Sequence, residues 1–307
     1  MPSRIGIKTT ESLRNRMRKL AYLAFVILGL VWGTNFLFMK WAAALLTPSQ
    51  IVLLRVLFGF APILVLAVVR RALSWSQLTD IPHFIVMALL ATVFYYYAFA
   101  AGTALLPSGI AGMLAGAIPL FSFVVAWFFM REEPLNIFIM SGLAAGFAGI
   151  LCIAQPWQVE GGIDLHGVLF MIAGSLSVGS SFIYARRYLS PKGYPAVALA
   201  TWQTGLALLM LLVITDFNGM SAIYKDSRAL VGLVVGLGLL GTGLAYVLYY
   251  FIIQHLGALR AAGVSYIPPV VALVVGHLLA DEPFHVIHLL AVVLILGGVF
   301  LLQTGKQ

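Results

Sequence analysis

Arg55 is a single charge set in an apolar run, Gln50-Ile51-Val52-Leu53-Leu54-Arg55-Val56-Leu57-Phe58. A guanidinium in such a run is costly unless it is paired or hydrated. Two readings stay open. Its forked N–H donors hold a small carboxylate, or it snorkels outward or bonds helix carbonyls and locks the fold. Two tyrosine-rich stretches add a second chemistry. Tyr95, Tyr96, Tyr97 and Phe99 lie in one apolar run, and Tyr246, Tyr249, Tyr250 and Phe251 in another. Helical spacing puts Tyr246, Tyr249 and Tyr250 on one face. These rings form either an interfacial belt or the wall of a wet cavity. A cavity would satisfy their hydroxyls and suit an amphipathic aromatic ligand. Trp32, Trp202 and Tyr266 offer more wall, and Asn35, Ser180, Ser181, Gln203 and Ser265 more polar contacts.

Acid–base chemistry is poorly served. Glu11, Asp80, Glu132, Glu133, Glu160, Asp164, Asp216, Asp226, Asp281 and Glu282 all fall outside the interiors of the apolar runs. A carboxylate proton relay at membrane depth is therefore not expected. His277 is the candidate for coupling, as a buried group titrating near neutrality, or it is a histidine hydrogen-bonded within a helix interface. Glu133 and Glu282 precede Pro134 and Pro283 and read as structural caps at helix starts. No HExxH or GxSxG motif and no intramembrane aspartate pair is present, and His255 and His277 make no ligand cluster. A membrane-embedded enzyme is thus a distant alternative, and neither cofactor nor metal is expected. A channel would need charge rings or a selectivity loop, and neither is visible. Cys152 is alone, which leaves no disulfide reading.

The elements that must hold these residues are membrane helices. The chain of 307 residues is 62% hydrophobic and only 9% charged, too little charge to coat a soluble domain of that length. Ten apolar runs of spanning length fall near 20–40, 49–69, 82–104, 107–129, 135–154, 167–188, 195–214, 229–254, 258–279 and 285–303. They show no strict alternation, so helices are expected, not a barrel. The net charge of +8 does not imply a nucleic-acid partner. Arg14, Arg16, Arg18, Lys19, Arg70, Arg71, Arg131, Arg186, Arg187, Lys192, Arg260 and Lys306 lie in the N-terminal tail, the alternate loops or the C-terminal tail. That bias places both termini in the cytoplasm. The basic tail reads as a disordered topology signal, with contact to anionic lipid as the alternative. A secretory leader ending at Ala42-Ala43-Ala44 is disfavoured, because the apolar run exceeds the usual leader core of roughly 7–15 residues.

The runs fall into two repeats. Ile118-Pro119 and Glu133-Pro134 recur 149 positions later as Ile267-Pro268 and Glu282-Pro283, and Tyr97 matches Tyr246 at the same offset. Upstream, Gly33, Phe36 and Lys40 match Gly179, Phe182 and Arg186 at an offset of 146. Five helices per repeat force the halves into opposite orientations, an arrangement suited to alternating access around a site between them. The expected fold is an all-α integral membrane protein of ten transmembrane helices, built as two inverted five-helix repeats around a central cavity. The expected segments are a basic tail at 1–19, a first repeat at 20–154, an extracytoplasmic linker at 155–166 and a second repeat at 167–305. Pro119 and Pro268 lie deep in matched spans and are expected to kink them beside the site. Gly142-Leu-Ala-Ala-Gly146 and similar clusters read as close helix packing, with hinges as the alternative.

With these residues in place, the chain resembles the ten-helix EamA-type branch of the drug/metabolite transporter superfamily. Trp32-Gly33-Thr34-Asn35-Phe36, Leu54-Arg55-Val56-Leu57 and the duplicated proline-then-glutamate pattern carry the likeness over nearly the whole chain. Within that branch it is most like the YddG-type aromatic amino acid exporters. The second repeat departs from the first, since Gly179-Ser180-Ser181 lacks the tryptophan and Gln203 stands near the place of Arg55. The resemblance implies a carrier in the cytoplasmic membrane exporting small metabolites, aromatic and neutral amino acids foremost. A proton-coupled drug or metabolite efflux carrier is the alternative. The partners implied are a small-molecule substrate and the lipid bilayer, with the protein a monomer or weak dimer.

Overall fold

The computed structural model describes residues 4–130, 136–155, 163–256 and 263–304. Ten helices are long and apolar enough to cross a membrane among the described residues. In chain order they are α1 (Arg16–Ala43), α2 (Pro48–Val69), α3 (Trp75–Leu105), α4 (Ser108–Phe129), α5 (Ile137–Ala154), α6 (Leu165–Lys192), α7 (Ala196–Ile214), α8 (Ser227–Tyr249), α9 (Gly263–Ala280) and α10 (Val286–Thr304). No strand occurs among the described residues. Large apolar side chains stay exposed on the outer surface, Val213 at 85% and Phe129 at 71%, which fits a lipid-facing exterior.

Local signals fix the helix ends. Thr47 and Gln50 form a reciprocal capping box at the start of α2, with Pro48 in the first turn. Asn136, Asp164 and Asp226 cap α5, α6 and α8 by accepting backbone N–H bonds. The basic tail differs from the disordered segment expected. Its backbone is helical from Arg4 and continuous with α1. Arg, Lys, Leu and Met are strong helix formers, and α1 supplies the costly nucleus.

The helices pack almost entirely across the two repeats. The principal neighbours are α5 with α10, α1 with α8, α2 with α8, α3 with α6, α4 with α9, α1 with α9, α2 with α7, α3 with α7, and α4 with α6. Exchanging α1–α5 for α6–α10 maps this set of neighbours onto itself. Individual residues keep the symmetry. A Cβ on Gly33 would collide with Val271, and one on Gly179 would press tightly on Ser122. Those are the same contact seen in each half, α1 on α9 and α6 on α4. The backbones of α5 and α10 approach through Gly142 and Gly298, where a Cβ on Gly142 would sit 2.7 Å from the Gly298 carbonyl.

The proline pair acts differently from the kinks expected. Helix α4 is broken: one segment ends at Ala115, Gly116 and Ala117 form tight turns onto Met113 and Leu114, and a new segment starts at Ile118. In α9 a 3-10 turn, Gly263–Tyr266, precedes the helix Ile267–Ala280. Pro119 and Pro268 thus stand as the second residue of a new helix, where the missing N–H costs nothing. Gly116 lies directly against Pro269, so the break of α4 packs on the prolines of α9.

Helices α3 and α8 share a second irregularity. A π-helical segment covers Leu89–Val93 in α3 and Gly232–Leu244 in α8. Such segments leave the ordinary hydrogen-bond ladder and recur at functional places.

Candidate functional site

Each π segment carries a buried threonine, and each threonine meets a polar side chain from the opposite repeat. Arg55 on α2 donates from Nε to Thr242 Oγ1 at 3.1 Å. Gln203 on α7 donates from Nε2 to Thr92 Oγ1 at 2.8 Å. A tyrosine of the same repeat completes each group. The Arg55 guanidinium lies 3.9 Å over the Tyr96 ring, and Gln203 Nε2 reaches the Tyr246 hydroxyl at 3.4 Å. Arg55 and Gln203 each stand seven residues into their helices, about 10 Å from the end at 1.5 Å per residue. Because α2 and α7 enter from opposite faces, the two groups flank the middle of a core about 30 Å thick.

The Arg55 group is the more demanding electrostatically. The side chain is 6% exposed, and no carboxylate pairs with it among the described residues. Of its five N–H donors, one meets Thr242 and one points at the Met39 thioether at 4.0 Å. The Tyr96 ring that covers it belongs to an aromatic cluster. Tyr95 packs on Phe99 at 4.6 Å between centroids and on Tyr96 at 5.0 Å, and Phe36 lies 6.2 Å from Phe99. Tyr97, matched to Tyr246 by the sequence offset, is instead 40% exposed on the outer surface. Tyr96 is the residue standing in Tyr246's place, and Thr92 and Thr242 likewise differ by 150 positions.

The other expected site residues distribute unevenly. Asn35 is buried on α1, and its Oδ1 has no hydrogen-bond partner. It lies against Gly241, next to Thr242. Tyr266 ends the 3-10 turn that opens α9, its hydroxyl buried and also without a partner. Trp32 packs against Tyr249 at 5.9 Å. Ser181 is buried, but its hydroxyl donates to its own helix at Val178 O, which leaves the donor engaged. The side chain of Tyr250 lies outside the described residues. Trp202 leaves Gln203's group, stacks on Phe84 and donates to Gln77. It belongs to a polar network at the end of the bundle that carries Arg70, Arg71 and Lys192. There Asp80 accepts from Tyr194 at 2.6 Å and Lys192 at 3.2 Å, and the carboxylate partner raises the Tyr194 pKa above its ordinary value.

At the opposite end the structure changes two expectations. Glu282 does not cap its own helix, α10. Its carboxylate accepts from the backbone N–H groups of Ser108 and Gly109, the first turn of α4 in the other repeat. An anion there matches the positive helix end. Lys40 completes the corner by donating to Ala104 O at the end of α3, 3.0 Å away. Glu133, the repeat counterpart, lies outside the described residues. His277 is exposed, not buried, and its Nδ1 contacts the Glu282 carbonyl at 2.9 Å. No cluster of three or more potential metal ligands occurs among the described residues.

Sequence reasoning reached Arg55 and Gln203 but missed Thr92, Thr242 and Met39. Threonine in an apolar run signals little alone. The threonine repeat at 150 positions was the available signal.

Comparison with known proteins agrees with this architecture. The chain resembles the Bacillus subtilis transporter YoaV at 25% identity, covering 91% of this chain and 95% of that one. It resembles an Archaeoglobus fulgidus transporter at 22%, over 94% and 100%. The Escherichia coli K12 inner membrane transporter YedA shares 29% identity, over 65% and 63%. A solved crystal structure with 20% identity superposes with a TM-score of 0.61 over 94% of this chain and 98% of the other, a likeness of fold. The EamA-like transporter family matches residues 19–155 and 165–304, and the chain belongs to that family, within the drug/metabolite transporter superfamily.

Proposed function

We propose that the protein exports small metabolites across the cytoplasmic membrane by alternating access, with aromatic and other bulky neutral amino acids as its main cargo. The observation that carries this reading is the pair of repeat-related groups, Arg55–Tyr96–Thr242 and Gln203–Tyr246–Thr92. They tie each repeat to the other on both sides of the membrane middle. Irregular backbone lies beside them in α3 and α8, and matched breaks lie in α4 and α9. Irregular backbone at membrane depth is tolerated where protein or a water-lined path covers it, and paired broken helices are how carriers of inverted-repeat design build their sites. The ring cluster of Phe36, Tyr95, Tyr96 and Phe99 supports an aromatic cargo. Lysine and arginine bias favours cytoplasmic termini. With the described acidic side chains lying at span ends or beyond, flux is expected to follow the solute gradient without an obligatory ion.

The test uses purified protein in liposomes loaded with tryptophan or phenylalanine, at equal pH on both sides and without sodium. Saturable release above protein-free liposomes is expected. Release that occurs only under a pH gradient would replace this reading with proton-coupled efflux.

A further inference from the structure

We infer that Arg55 and Asn35 together read the head of an α-amino acid, Arg55 taking the carboxylate and Asn35 Oδ1 the ammonium. This inference rests on the amino-acid reading above and assigns the atoms that recognise the cargo.

Arg55 is a buried cation with no counter-charge among the described residues. Its ring contact with Tyr96 covers one face of the guanidinium, and Thr242 takes Nε. Nη2 has no partner among the described residues, and Nη1 has only a distant thioether. A carboxylate fits that edge through two parallel charge-assisted bonds. The same cation would be severely destabilising if it stayed unpaired at depth.

Asn35 presents the complementary deficit. It is 5% exposed, and Oδ1 accepts nothing. A buried acceptor left open is destabilising, so a donor from outside the protein is favoured there. The two residues converge on one place. Asn35 abuts Gly241, and Arg55 bonds the next residue, Thr242. Along α1, Met39 stands one turn beyond Asn35 and touches Arg55. Neighbouring side chains one turn apart are separated by roughly 5–6 Å, the scale of a group in which ammonium and carboxylate share one carbon. Gly241 is required here, because a Cβ would collide with the Asn35 amide. The rings of Tyr95, Tyr96 and Phe99 lie beside the head position, where a side chain of the cargo would pack.

Counterflow separates this inference from the broader reading. Liposomes holding the purified protein are loaded with L-tryptophan, tryptamine, indole-3-propionate or inorganic phosphate, and uptake of labelled tryptophan is followed. Only L-tryptophan should accelerate uptake, with tryptamine and indole-3-propionate at least tenfold weaker. Arg55→Gln should remove the preference for tryptophan over tryptamine, and Asn35→Leu the preference over indole-3-propionate. Gly241→Ala, which crowds Asn35, should weaken tryptophan counterflow without altering Arg55. Should Arg55→Gln fail to fold, Asn35→Leu and Gly241→Ala still decide the matter. Equal acceleration by tryptamine or indole-3-propionate in the unmodified protein would overturn the head assignment and leave amino-acid transport standing. Phosphate acting as well as tryptophan would also overturn it. No counterflow with any amino acid would overturn the functional reading itself.

Discussion

Thr92 accepts a hydrogen bond from Gln203, and the bond has a counterpart in the other repeat, where Thr242 accepts from Arg55. The geometry is shared while the charge is not. One group carries a buried cation and the other a neutral amide, so equivalent substitutions should have unequal effects. Thr242→Val removes an acceptor from a buried guanidinium, and Thr92→Val removes one from an amide. Bonds to charged groups contribute about 1.5–3 kcal/mol and neutral ones about 0.5–1.5 kcal/mol. Thermal melts in detergent should therefore show a larger loss for Thr242→Val than for Thr92→Val. Equal losses would mean that water already satisfies Arg55.

Pro119 and Pro268 each begin a helix after a break. Pro119→Ala restores an N–H and permits α4 to run on through Gly116 and Ala117. Flux should fall by tenfold or more while expression and monodispersity hold. Pro268→Ala should behave alike, though Pro269 preserves part of the break. Normal flux from both variants would reduce the breaks to packing features.

Glu282 reaches across the repeats to the first amides of α4. Glu282→Gln keeps the shape and discards the charge, and should lower stability by about 1 kcal/mol. Lys40→Met removes the cation at the neighbouring end of α3. A double-variant cycle on melting temperature should give a coupling between the two, since both charges hold the turn at Leu106 and Pro107. Strict additivity would show that they act independently.

Asp164 caps α6 outside the membrane spans. Desolvation, the largest single influence, opposes ionisation, but the N–H bonds from His166 and Gly167 and the His166 ring together outweigh it and hold its pKa below the ordinary value. A depressed carboxylate contributes stability above its unfolded pKa, near 4, and that contribution is lost as pH falls through the lower folded pKa. Asp164→Ala should melt earlier than the parent at pH 7, with the gap closing below about pH 4. A gap unchanged down to pH 3 would rule out the charged cap.

The ten spans, the repeat and the deep placement of Arg55 were legible in the sequence, because apolar length, duplicated Ile-Pro and Glu-Pro pairs and a lone arginine are local signals. What the sequence hid depends on contacts across the repeats. The target of Glu282 is an example, since the carboxylate precedes Pro283 but serves amides 173 and 174 positions away. The π segments are another. No residue type demands one, and the extra residue they absorb shifts Thr92 and Tyr96 to an offset of 150, away from the 149 that aligned Tyr97. His277 illustrates the limit of reading depth from an apolar run. It follows Gly276 near the end of α9, on the exposed side of the helix.

The cross-repeat packing has a consequence for assembly. Almost every major helix contact joins one half of the chain to the other, and the seam between α5 and α10 depends on glycines from both. A five-helix fragment keeps only the lesser packing among its own helices, such as α1 and α2 against α3. Severed between α5 and α6, the chain should yield two pieces that are degraded when made separately and recover function when made together. By the same logic, a half-length ancestor of this design would have worked only as an antiparallel pair, inserted in both directions in one membrane.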